Sequence, residues 1–114
     1  MFNLLFETEL KMTMRALARL QINFTPGELI DLVCNALNIA AHDLCGPIRK
    51  RELVEARFIT CQLLQEFSYL SEAEIAPIIK KDRSTVYYAL EQFQSLQSDI
   101  EFAHKCSQVY SYLP

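Results

Sequence analysis

A chain of 114 residues, 51% hydrophobic and 22% charged, can bury a single core, which excludes a disordered polymer. Two glycines and four prolines leave few breakers and favour long helices. The net charge of −3 speaks mildly against a nucleic-acid partner, yet seven of the eleven basic residues fall between Arg49 and Arg83, and local clustering matters more than net charge.

The opening MFNLLFETEL carries Glu7 and Glu9 and no basic start, so it does not read as a secretory signal. No apolar run reaches bilayer length. A cytoplasmic protein with no membrane partner is expected, nucleoid-associated if it binds DNA. Phe2, Phe6, Leu10, Met14 and Leu17 recur at helical intervals and predict an amphipathic helix over residues 2–24. Residues 1–24 are thus taken as an N-terminal extension. It would pack on the rest of the chain, pair with a second copy or meet another protein.

The main domain is expected over residues 25–114. TPGE at 25–28 is a helix start: Thr25 caps, Pro26 suits the first position and Glu28 completes a capping box. Leu29, Val33, Leu37 and Ala40 form its stripe, which predicts an end near Ala41, followed by a loop to Gly46-Pro47. A second helix is expected from about Arg51 to Phe67. Arg57 falls in its apolar sector, either paired with a carboxylate such as Asp82 or holding a phosphate. SEAE at 71–74 is another capping box and opens a short helix to about Ile79. Lys80, Lys81 and Asp82 then make a tight turn, with Asp82 expected to cap a helix whose apolar positions are Val86, Leu90, Phe93 and Leu96. A break at Ser98-Asp99 precedes a last helix, with its stripe on Ile100, Ala103, Cys106, Val109 or Tyr110, and Leu113.

A short helix, a three-residue turn and a longer helix with a polar start make a helix-turn-helix. Free N–H groups and the positive dipole end at the start of the longer helix suit phosphate. Arg83 can donate a bidentate pair to guanine, and Ser84 and Thr85 reach either bases or phosphates. The basic knot Arg49-Lys50-Arg51 precedes a helix in a loop, as a backbone or minor-groove contact requires; Glu52 and Glu55 partly offset it.

From about Gly27 to Leu113 the chain resembles the C-terminal DNA-binding domain of the bacterial replication initiator DnaA. The resemblance rests on IRKRELVEAR, then FITCQLLQEF, then SEAEIAPIIKKDRSTVYYAL and an amphipathic tail. It implies an all-α fold with a helix-turn-helix of the Trp-repressor type, and double-stranded DNA as partner in replication- or transcription-related regulation. It assigns Asp82, Arg83, Ser84 and Thr85 to the major groove, with Asp82 structural, and Arg49 and Arg51 to the minor groove and backbone. Arg57 matches the family's helix arginine. The DNA-contacting set is therefore Arg49, Lys50, Arg51, Arg57, Lys80, Lys81, Arg83, Ser84 and Thr85.

Several positions depart from the family pattern. Arg83 stands for a histidine, Ser84 for a threonine, Phe58 for a glutamine and Ala76 for a glycine, and Glu55 stands where a base occurs. A carboxylate facing phosphate weakens binding. With no GxxxxGK[ST] loop for a nucleotide, a DNA-binding domain standing alone is expected.

Other chemistry finds less support. His42 and Cys45 are three apart, but a structural zinc site needs four ligands, and the other cysteines and His104 are scattered on apolar faces. No metal or cofactor is expected, and the cysteines read as reduced thiols. No nucleophile–base–orienter set points to an enzyme. Tyr87, Tyr88, Tyr110 and Tyr112 suit a core or a partner surface better than base stacking. The alternative is an interaction module that kept the fold, lost DNA binding and uses residues 2–24 to bind another protein or a second copy.

Overall fold

The computed structural model describes residues 24–114. The helix expected over residues 2–24 lies outside the described residues, apart from Phe24. The described chain is all α: α1 Pro26–Leu37, α2 Ala41–Leu44, α3 Arg51–Phe67, α4 Glu72–Ile79, α5 Arg83–Ser95 and α6 Ile100–Tyr110, with a 3₁₀ turn Leu96–Ser98 before α6.

The caps explain most boundaries. Thr25 and Glu28 close a reciprocal capping box on α1, and Ser71 and Glu74 do the same on α4. Asp99 accepts from the Phe102 N–H at 2.9 Å and starts α6. At the other end, α1 stops at Leu37 rather than near Ala41. Asn38 turns left-handed at φ 56°, and the Ile39 N–H returns to the Cys34 carbonyl. The chain then makes one further helical turn, α2, in a stretch expected to be loop.

Helix α3 is the axis of the domain, with α1, α2, α4 and α5 packed around it. Leu53, Ala56, Phe58, Ile59, Cys61, Leu63, Leu64 and Phe67 are buried along it, each large apolar side chain contributing about 1.5–3 kcal/mol of transfer free energy. Burial pushes the Cys61 thiol up to about 12. Helix α6 closes on α1, and its Phe102 ring meets Phe93 of α5 edge to face at 5.8 Å. Phe102 is fully buried whereas Ile100, expected on the stripe, is 87% exposed. The 3₁₀ turn and the Asp99 cap set the helical phase so that Phe102, Cys106, Val109 and Tyr110 face inward.

Candidate nucleic-acid interface

Helices α4 and α5 pack against one another across the three-residue connection Lys80–Asp82. That connection is a Schellman turn: Lys80 is left-handed at φ 58°, its N–H bonds the Pro77 carbonyl, and the Lys81 N–H bonds the Ala76 carbonyl. Val86, Ala89 and Phe93 bury one face of α5, while Arg83, Ser84, Thr85, Tyr87 and Tyr88 remain exposed on the other. Asp82 occupies the cap position, but its side chain makes no cap bond. The expected cap is therefore absent, and the first-turn N–H groups of α5 have no side-chain acceptor. Helix α3 likewise starts at Lys50 without a side-chain cap, whereas α1, α4 and α6 are capped.

The loop before α3 faces the start of α5 across an open cleft of about 500 Å³. Arg49 and Pro47 come from the loop, Val54, Arg57 and Phe58 from α3, and Lys81, Ser84, Thr85 and Tyr88 from the turn and α5. Phe58 is 7% exposed and packs edge to face on Tyr88 at 5.9 Å. It forms part of the apolar lining of the cleft.

Arg57 is buried and meets no carboxylate among the described residues. Its Nε donates to the Leu44 carbonyl at 2.7 Å, and Nη2 faces the Asp43, Gly46 and Ile48 carbonyls at 3.0, 2.9 and 2.7 Å. The pairing with Asp82 is thus replaced by backbone capture: α2 and its loop turn their carbonyls inward, and a guanidinium supplies donors in the matching fork. Lys81 Nζ, from the turn between α4 and α5, also donates to the Gly46 carbonyl. Burial, then the neighbouring Arg57, pulls Lys81 below the ordinary lysine value, and burial lowers Arg57 from the ordinary arginine value. Gly46 itself is required. A Cβ there would stand 2.7 Å from the His42 carbonyl oxygen.

Glu55 does not line the cleft. Its buried carboxylate accepts from Lys105 at 2.6 Å and from Arg51 at 3.1 Å, and Arg51 also reaches Glu101 at 3.5 Å. Burial pushes the Glu55 carboxyl up, but the Lys105 and Arg51 bonds outweigh it and hold it below the usual range. Lys105, fifty residues away, was not legible as a partner in the sequence.

The structure therefore brings Arg49, Arg57, Lys81, Ser84 and Thr85 to one cleft. Arg51 is turned toward α6, and Lys50, Lys80 and Arg83 are exposed outside the cleft lining. Among the described residues no group of three His, Cys, Asp or Glu side chains is placed to hold a metal ion. No described helix is long and apolar enough to cross a membrane. Cys34, Cys45, Cys61 and Cys106 are free thiols.

The short α4, the three-residue turn and the longer α5 make a helix-turn-helix. The family described as "Bacterial dnaA protein helix-turn-helix" matches residues 26–92, more than half of the chain. The chain belongs to this family, and membership implies DNA binding. It is similar to the chromosomal replication initiator protein DnaA of Leptospira biflexa, 34% identical over 74 residues, covering 65% of this chain and 17% of that protein. The DnaA protein of Crocosphaera subtropica is 33% identical over 78 residues, covering 68% and 17%. That of Gloeobacter violaceus is 31% identical over 71 residues, covering 61% and 16%. The match thus spans about a sixth of those relatives' length. No solved structure matches.

Proposed function

We propose that this domain binds double-stranded DNA sequence-selectively, with the start of α5 in the major groove, in replication- or transcription-related regulation in the cytoplasm. The observation that carries the proposal is the uncapped first turn of α5, which opens beside a cleft shared with Arg49. Arg83, Ser84 and Thr85 reach base edges. Lys80, Lys50 and Arg49 contact the backbone, with Arg49 extending toward the minor groove. Arg57 and Lys81 act one step back, fixing the loop that carries Arg49. Arg51 adds charge at the rim while neutralising Glu55. No catalytic role is assigned.

Titration of labelled duplexes, selected from a random pool, tests this. Arg83→Ala should cost about 1–3 kcal/mol on the preferred sequence and relax its preference. A loss spread equally over all sequences would contradict base reading by Arg83.

A second reading, a protein-interaction module, draws on Ile100, 87% exposed on α6 away from the cleft. A partner or second copy would meet that face or residues 2–24. Pull-down from nuclease-treated lysate separates the two: DNA-bridged partners disappear, and direct ones persist.

A further inference from the structure

The exposed face of α5 holds a contact that core packing does not explain. Arg83 and Tyr87 are one helical turn apart, and both are exposed. Arg83 Nη2 donates to the Tyr87 hydroxyl at 3.2 Å, and the guanidinium carbon lies 5.6 Å from the centre of the tyrosine ring. Tyr87 has 48% of its surface open to solvent. Its ring therefore serves the arginine rather than the interior.

The bonding leaves recognition capacity intact. A guanidinium has two edges that each present a pair of parallel N–H donors, and both edges use Nη2. Giving one Nη2 proton to the hydroxyl occupies a single edge, so the other edge keeps its full pair. That pair matches O6 and N7 of guanine in the major groove. The hydroxyl, having accepted from Arg83, keeps its own proton to donate. The four-residue offset is about 6 Å along the helix, close to two base-pair steps of about 3.4 Å. An arginine already held against a ring also loses less freedom on binding than a free one.

We propose that Arg83 and Tyr87 form one specificity unit on α5. Arg83 reads the O6 and N7 edge of a guanine. Tyr87 is the positioning residue that fixes the plane of the guanidinium, and its hydroxyl donates to an acceptor on a neighbouring nucleotide. This rests on the DNA-binding proposal and names the base that Arg83 selects.

The test uses the full chain and a duplex selected from a random pool by the wild type. Each guanine of that duplex is replaced in turn by adenine or by 7-deazaguanine, which lacks the N7 acceptor. One guanine should be indispensable, its replacement weakening wild-type binding between about 5-fold and 150-fold. Arg83→Ala should abolish that discrimination. Tyr87→Phe, which keeps the ring and removes the hydroxyl, should reduce the discrimination at that guanine by a larger factor than it weakens binding to unselected duplexes. Circular dichroism on each variant checks that the helices persist. The proposal is overturned if no guanine is selected, if 7-deazaguanine is tolerated at every position, or if Tyr87→Phe weakens all duplexes equally. A wild type that binds no duplex at low salt overturns the underlying DNA-binding reading as well, a result distinct from those three.

Discussion

Arg57 is a buried cation whose guanidinium is bonded to backbone carbonyls of α2 and the loop before α3. Its periodicity placed it correctly in the apolar sector of α3, but the partner was not legible. Backbone carbonyls carry no signature in a sequence, and the α2 turn that aims them inward was expected to be loop. Removing the guanidinium takes the Arg57 donor from the Leu44 and Ile48 carbonyls, while the Asp43 carbonyl keeps the Gly46 N–H and the Gly46 carbonyl keeps Lys81. Arg57→Ala should therefore lower stability by about 2–4 kcal/mol in urea unfolding, with DNA affinity falling as the loop loosens. Glu55 is a comparable case with the opposite charge. Its folded-state pKa is depressed by Lys105 and Arg51 against the effect of burial. The stability it adds is present above the ordinary carboxylate pKa of about 4.3, and is lost as the pH falls through the lower folded value. Thermal melts between pH 7 and pH 3 should show that loss in the wild type. Glu55→Gln should be less stable at pH 7 and less sensitive to acid. Equal acid sensitivity in the two proteins would count against the ion pair.

Helix boundaries were legible where side chains write them. The two capping boxes and the starts of α3 and α5 follow from Thr25, Ser71, the basic knot and the turn after Ile79. Three details were not, because they depend on tertiary phase. These are the left-handed exit at Asn38, the uncapped Asp82 and the outward rotation of Ile100. The turn between α4 and α5 carries a further consequence at this scale. A left-handed backbone at φ 58° suits glycine, yet Lys80 occupies it. On the proposed function, the charge is retained at the expense of backbone strain of about 1–2 kcal/mol. Lys80→Gly should raise the urea midpoint slightly, the relieved strain of about 1–2 kcal/mol outweighing an unfolded-state entropy cost of about 0.4–1 kcal/mol, and should also weaken DNA binding. A glycine variant with unaltered DNA affinity would remove Lys80 from the interface.

Across the whole molecule, a chain of net charge −3 presents a face where bases outnumber acids. Glu55 is drawn away from the cleft into a bridge with Lys105 and Arg51. Arg49, Lys50, Lys80 and Arg83 stay exposed around the starts of α3 and α5. The all-α architecture and the two basic knots could be read from the sequence; which cations face outward depended on the packing of α2 and α6. The most direct measurement of the central claim is the salt dependence of duplex binding by fluorescence anisotropy, for the wild type and for Arg49→Ala. The account predicts that the logarithm of the wild-type affinity falls linearly with the logarithm of salt concentration. The Arg49→Ala slope should be shallower by about 0.9, the loss of one phosphate contact. An unchanged slope, or no binding to any duplex at low salt, would contradict it.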